Sequence, residues 1–224
     1  MRIIEKKIYN FDELNESVKE ELIEDRKKSD YDCYMENFFQ DDMEHNAEEL
    51  VDDYFGSDAD FIQTYYSLSY CQGDGAMIEF DVNIVDLNNK YKIFSDEEIG
   101  FLTDKGIINN IEVRHNNNHY YHEYKFGINF NYYDMGYTSD DVIDEGYKIT
   151  NNEFNTLEDR LYKLLDDSNK HYTTSPFITD VINMNKELVK RGYSIVENYD
   201  FDTTYIVEEL RNNEYYEDGG VYYG

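Results

Sequence analysis

The sequence predicts an α+β fold in which an antiparallel sheet built from hairpins packs against N-terminal and C-terminal helices. Three observations carry this expectation. Stretches of alternating apolar and polar residues fall in adjacent pairs around turn residues in the middle of the chain. Apolar residues at helical spacing mark both ends. The 40% hydrophobic content with 17% aromatic supplies material for a core, and a single proline in 224 residues argues against long linkers. No repeat or compositional break divides the chain, so one domain over 1–224 is expected, with an acidic helical region at about 29–60 and a C-terminal helical part at about 154–212.

The elements follow in order. Arg2 to Tyr9 reads as a short first strand with Ile3, Ile4, Ile8 and Tyr9 as its apolar positions. Asn10 with Glu13 has capping-box spacing. Leu14, Val18 and Leu22 repeat at i, i+4 before Arg26, Lys27 and Lys28, which suit a helix C-terminus, so a helix is expected over about 11–28. A second helix is expected over 31–54, where Met35, Phe39, Met43, Ala47, Leu50 and Tyr54 form a stripe beside Phe38 and Val51. Gly56, Ser57 and Asp58 end it. Phe61 to Cys71 and Ala76 to Leu87 read as strands joined at Gln72-Gly73-Asp74-Gly75, a turn with two glycines.

Ser95 and Glu98 repeat the capping box and open a helix carrying Ile99 and Leu102 that stops at Gly106. Ile107 to His115 and His119 to Tyr132 form a second hairpin about Asn116 to Asn118, and Asp134 to Lys148 reads as an acidic loop. Leu157, Leu161, Leu164 and Leu165 mark a further helix. Ser175 as N-cap and Pro176 at the first position start another, with Phe177, Val181, Met184 and Leu188 as its stripe and Lys190, Arg191 and Gly192 as its end. A short helix over Thr203 to Arg211 precedes Glu214 to Tyr223, for which two outcomes stand open, pairing as an edge strand or fraying.

Charge narrows the function. The formal net charge is −30 and the isoelectric point is near 4.2. Such a surface repels nucleic acid and anionic membrane and attracts basic proteins. The charge is concentrated: Ser29 to Asn89 holds sixteen carboxylates and no Lys or Arg. Tyr34, Phe38, Phe39, Leu50, Tyr54 and Phe55 interleave with them, so this stretch can fold and hold its charges in fixed positions, unlike a disordered acidic tail. Solubility or adaptation to high salt is the plainer account of the acidity, and a binding surface for a basic partner is the sharper one. The 24 tyrosines can pack a ring and still present a hydroxyl at an interface.

No motif names a reaction. Gln72 to Gly75 lacks the Gly-Lys-Ser/Thr ending of a phosphate loop and precedes no helix. His115, His119 and His122 with Glu123 invite a metal, but on a strand His119 and His122 point to opposite faces. Asp52, Asp53, Asp58 and Asp60 surround Gly56 without EF-hand spacing. Cys33 and Cys71 have neither disulfide-framework nor metal spacing, and no Gly-x-Ser-x-Gly appears. The expectation is therefore no cofactor, no metal and no enzymatic activity. Met1 to Asn10 has charges without an apolar core, and no apolar run reaches membrane-spanning length, so a cytoplasmic protein is expected.

Four places carry a resemblance. Phe11-Asp12-Glu13-Leu14 with Lys19, then Tyr66 to Gly75 ending in Gln-Gly-Asp-Gly, then His119-Tyr120-Tyr121-His122-Glu123-Tyr124, and finally Tyr215-Tyr216-Glu217-Asp218-Gly219 resemble landmarks of a family of uncharacterised phage and prophage proteins, some labelled antitoxin of a toxin-antitoxin system. Where that pattern commonly has Trp or Ser, this chain has Tyr70 and Cys71. The resemblance implies a mobile-element origin and brings no catalytic residue with it.

Together these features predict an acidic inhibitor that mimics nucleic acid and occupies the basic groove of a host defence protein, such as a CRISPR effector or restriction enzyme, in the host cytoplasm. The partner-binding candidates are Asp41, Asp42, Glu44, Glu48, Glu49, Asp52, Asp53, Asp58 and Asp60, with Asp140, Asp141, Asp144 and Glu145 as a second group, each acting as a phosphate surrogate for Arg or Lys. The alternatives are an antitoxin-like module neutralising a basic toxin, and a metal-dependent phage enzyme.

Overall fold

A computed structural model of the chain describes residues 6–56, 62–69, 74–104, 108–115, 126–132, 159–160 and 175–223. The fold is α+β, with antiparallel pairing throughout its described sheets. It divides into two compact units, residues 1–40 with 198–224 and residues 41–197.

The first unit holds strand β1 (Tyr9–Asn10), a 3-10 turn over Phe11–Glu13, helix α1 (Glu16–Asn37), helix α6 (Thr203–Leu210) and strand β6 (Glu214–Tyr215). The predicted capping box forms, with the Asn10 backbone N–H donating to Glu13 Oε2 at 2.9 Å. It closes the 3-10 turn, however, and does not open the long helix. Asn15 caps α1, its side-chain oxygen accepting from the Ser17 N–H at 3.4 Å. The core is Phe11, Leu14, Ile206, Leu210 and Tyr215, with Val18, Leu22 and Ile23 of α1 packed against it. β1 pairs with β6, Tyr9 opposite Tyr215, and the buried Tyr215 hydroxyl donates to the Leu210 carbonyl at 2.8 Å. Only the end of the expected strand over Arg2 to Tyr9 is seen in this pairing; residues 1–5 lie outside the described set.

Helix α1 runs past its expected end at Lys28 to Asn37, and the expected single helix over 31–54 is not what forms. Helical geometry lapses at Phe38 (φ −124°, ψ −26°), and helix α2 (Phe39–Phe55) begins next to it. The physical reason lies in the stripes. Val18, Leu22 and Ile23 serve the first unit's core, while Met43, Ala47, Leu50, Val51 and Phe55 are buried in the second. Lys-rich termination signals at Arg26 to Lys28 are weak beside this packing, and two of those cations are engaged by acids of the same helix: Arg26 by Asp30 at 3.0 Å and Lys27 by Glu24 at 2.9 Å.

The second unit is a four-stranded antiparallel sheet in the order β2 (Ile62–Ser67), β3 (Gly75–Asn83), β4 (Ile108–His115), β5 (Phe126–Tyr132), with α2, α3 (Ile84–Tyr91), α4 (Asp96–Asp104) and α5 (Pro176–Glu197). The two expected hairpins are both present. The first closes from Ser67 opposite Gly75, so its connection spans 68–74. Asp74 accepts from the Ser69 N–H at 3.0 Å, the Ser69 hydroxyl at 2.9 Å and the Tyr193 hydroxyl of α5.

The strand expected to reach Leu87 stops at Asn83. The Asn83 side chain accepts from the Val85 N–H at 2.8 Å and starts α3, which buries Ile84 and Leu87. Ile84 fits a period of two with Val82 and a period of three with Leu87, so its spacing alone could not decide the element. The capping box at Ser95 and Glu98 forms as expected, with bonds of 2.8 and 3.3 Å. So does the Ser175 start of α5, whose hydroxyl accepts from Ile178 at 3.3 Å.

Helix α5 does not stop at Gly192 but continues to Glu197. Gly192 serves a close approach: a Cβ there would sit 2.6 Å from Leu68 Cδ1 and 3.0 Å from Met43 Sδ. The core is formed by Ile78, Phe80, Val82, Ile111, Val113 and Phe126 of the sheet with the buried stripes of α2 and α5, and the Phe55 ring stacks on Phe80 at 5.2 Å. Two buried asparagines complete it. Asn185 of α5 accepts from the Ile78 N–H at 3.0 Å, beyond the point where β3 and β4 cease to pair at Phe80 and Val113. Asn88 bonds both the N–H and the carbonyl of Phe94, at 2.8 and 3.1 Å, and closes the α3–α4 turn. The expected acidic loop at 134–148, the helix through Leu157 to Leu165 apart from residues 159–160, and the motif around His119 to Tyr124 lie outside the described residues.

Candidate functional site

Helix α2 positions the leading candidates. Its buried residues, Met43, Ala47, Leu50, Val51 and Phe55, recur at the spacing of one helical face. That burial turns Asp41, Asp42, Glu48, Glu49, Asp52 and Asp53 toward solvent, with Glu44 half-buried at the margin. From Asp41 to Asp53 a helix rises about 18 Å at about 1.5 Å per residue. The seven carboxylates therefore stand at about one per 3 Å of axis, close to the roughly 3.4 Å spacing of charges along one DNA strand.

Neighbours three and four apart on a helix repel when both are acidic, so this face is costly without compensation. Part of it comes from nearby. Arg191 of α5 donates to Glu49 at 2.9 Å and to the Asn46 side chain at 3.3 Å, and its other nitrogen is 4.0 Å from Asp53. Glu44 lies near Tyr66, whose phenol is pushed up first by burial and then by that carboxylate.

The C-terminal end of α2 is held by Lys90. Its ammonium lies 5.3, 5.0 and 5.3 Å from the ring centres of Tyr54, Phe55 and Tyr91, is 2.7 Å from Asp180 and donates to the Tyr54 carbonyl. A cation beside the last carbonyls opposes the helix dipole where Asp52 and Asp53 reinforce it. Tyr91 donates to the same Asp180 at 2.6 Å, and its phenol is pushed far above its ordinary value by burial first, then by that carboxylate.

Sequence reasoning found the α2 carboxylates but not their scaffold. Arg191 was expected as a helix-ending cation, and nothing in its spacing linked it to Glu49. Lys90 carried one signal, as the first base after sixty-one residues without any. Of the other candidates, Asp58, Asp60, Asp140, Asp141, Asp144 and Glu145 lie outside the described residues, as do His119, His122, Glu123 and Cys71. His115 stacks on Tyr65 at 5.2 Å, and its backbone N–H donates to the buried Glu79 at 2.7 Å. Among the described residues no group of three or more His, Cys, Asp or Glu could hold a metal, and no helix is long and apolar enough to cross a membrane.

Fold and site together define an acidic α+β protein that presents a row of ordered carboxylates on one helix. Family models, curated proteins and solved structures were compared with the chain and none matches.

Proposed function

We propose that the protein is an acidic inhibitor of a phage or other mobile element that occupies the nucleic-acid groove of a basic host defence protein, a CRISPR effector or a restriction enzyme. The observation that carries this reading is the solvent face of α2, where carboxylates follow one another at close to the charge spacing of a nucleic-acid strand on a helix whose opposite face is locked in a core. Because the helix is already ordered, binding sacrifices little conformational entropy. Each carboxylate accepts charge-assisted hydrogen bonds as a phosphate oxygen does. The protein acts by occupancy in the host cytoplasm, without a catalytic step and without binding nucleic acid itself. The resemblance to phage and prophage proteins supports the same setting.

The test is capture of partners from a host lysate on the tagged protein, elution by a salt step and identification by mass spectrometry. That is followed by competition with DNA or guide RNA for the captured protein. A DNA-handling protein released at moderate salt, and displaced by nucleic acid, is the expected result. Reversing Asp41, Asp42, Glu48 and Asp52 to Lys should abolish capture while the far-ultraviolet spectrum is retained. Capture unchanged by this reversal refutes the assignment of the site, and recovery of a small basic toxin in place of a DNA-handling protein favours the antitoxin reading.

A further inference from the structure

In the first unit the antiparallel register of β1 and β6 places Tyr9 opposite Tyr215 and Asn10 opposite Glu214. Continued outward, it would set Lys7 against Glu217 and Lys6 against Asp218. The chain does not continue it. The Tyr216 N–H donates to the Gly220 carbonyl at 2.8 Å and the Gly219 N–H to the Tyr216 carbonyl at 3.0 Å, so residues 216–220 close a turn of their own, with Gly219 at φ +86°. Asp218 is drawn into that turn and accepts from the Gly220 N–H at 3.1 Å. Between the two segments opens a cleft of about 690 Å³, lined among the described residues by Lys6, Lys7, Tyr9, Tyr216, Glu217 and Asp218. Its size falls within the roughly 300–1,000 Å³ of small-molecule sites.

The cations of this cleft are unusual for the chain. Acids outnumber bases 50 to 20, and other bases of the same unit are paired, Lys19 with Glu16 and Lys27 with Glu24. Lys6 and Lys7 enter no ion pair among the described residues. The Lys6 ammonium lies instead 4.4 Å from the centre of the Tyr216 ring, which meets Tyr222 edge-on at 5.8 Å. A ring attracts an ammonium without neutralising it, so the charge stays open to an anion. Exposed carboxylates farther away than a Debye length, about 8 Å at physiological ionic strength, are largely screened. The two adjacent ammonium groups therefore set the local potential, and the net charge of −30 does not exclude an anion beside them. Glu217 and Asp218 in the same cleft require the rest of that ligand to bring hydrogen-bond donors.

We propose that the cleft binds a sugar phosphate, free or as part of a nucleotide, with Lys6 and Lys7 on the phosphate and Glu217 accepting from the sugar hydroxyls. Lysine serves phosphate as a point charge, and carboxylates accept from hydroxyls. Tyr9 and Tyr216 offer ring surface on which a base can stack. The cleft lies wholly in the first unit and does not depend on the reading of α2.

The experiment is isothermal titration calorimetry of the full chain with AMP, ribose 5-phosphate, adenosine and inorganic phosphate at one low ionic strength. Both esters should bind more tightly than adenosine or inorganic phosphate. AMP tighter than ribose 5-phosphate identifies the ligand as a nucleotide, and equal affinity identifies a free sugar phosphate. Lys6→Gln and Lys7→Gln should each weaken ester binding roughly two- to fivefold. Lys28→Gln makes the same change in net charge outside the cleft and should leave it unaltered. Glu217→Ala should weaken ribose 5-phosphate without weakening inorganic phosphate. Absence of binding by both esters, adenosine binding as tightly as AMP, or Lys28→Gln costing as much as Lys7→Gln overturns the proposal. Circular dichroism of each variant excludes loss of fold as the cause.

Discussion

Replacing Asn185 by alanine tests how the helix and sheet of the second unit are joined. Asn185 is fully buried, accepts from the Ile78 N–H at 3.0 Å and donates to Met77 Sδ at 3.3 Å. The Ile78 N–H lies where β3 no longer pairs with β4, so the sheet offers no replacement on that side. Truncation leaves this donor buried without its acceptor, at a cost of about 1–3 kcal/mol. The cavity left by the amide adds about 1 kcal/mol. The sum, about 2–4 kcal/mol, corresponds to roughly 4–16 °C in melting temperature for a chain of this size.

Asn185→Leu separates the two terms. It refills the volume but cannot accept the hydrogen bond, so it should recover only the cavity part. The assay is urea unfolding followed by far-ultraviolet circular dichroism and by tyrosine fluorescence, with the slope against urea required to stay constant. An Asn185→Ala loss below about 0.5 kcal/mol, or full recovery by leucine, would show that the hydrogen bond does not anchor α5.

Three further outcomes follow from the geometry. Gly192→Ala sets overpacking of about 1–3 kcal/mol against a helix-propensity gain of about 1 kcal/mol. Because the crowded atoms are the flexible ends of Leu68 and Met43, a net destabilisation no greater than about 2 kcal/mol is expected, and Leu68→Ala in the same chain should remove part of it in chemical denaturation. Lys90→Met takes the cation from three rings and Asp180 and should cost about 1–2 kcal/mol; melting curves showing no loss would refute the lock at the end of α2.

The third concerns pH. Burial alone would raise the Glu98 carboxyl, but hydrogen bonds from Arg160 and Ser95 and the Arg160 charge together hold it below its ordinary 4.5. A depressed carboxyl contributes stability that is present above the ordinary value and lost as pH falls through the folded one. The stability of wild type should therefore drop more steeply below pH 4.5 than that of Arg160→Gln; parallel acid titrations of the two would contradict the assignment.

Much of the candidate site was legible because helical periodicity is a local property. Met43, Ala47 and Leu50 define a buried face from sequence spacing alone, and the positions left over, Asp41, Asp42, Glu48, Glu49, Asp52 and Asp53, are the exposed acids. The capping boxes at Asn10 and Ser95 and the Ser175 start were legible for the same reason, since a cap involves residues three apart. What the Asn10 box could not reveal was the length of the element it closed, a 3-10 turn in place of a long helix.

The sequence by itself thus determined the antiparallel α+β class, the two hairpins, the helical state of the acidic stretch and the face on which its charges stand. Tertiary structure decided where helices begin and end. Phe38 interrupts the acidic stretch because the residues before and after it serve different cores, and α5 passes through Gly192, where the flexible ends of Leu68 and Met43 come within 2.6 and 3.0 Å of where a Cβ would stand. It also decided which charges are held. Arg191 meets Glu49, Lys90 meets Asp180 and Arg160 meets Glu98 across dozens of intervening residues. Such pairings carry no periodic signal in a chain with 50 acids and 20 bases, because their distance in space is set by the packing of elements and not by their spacing along the backbone.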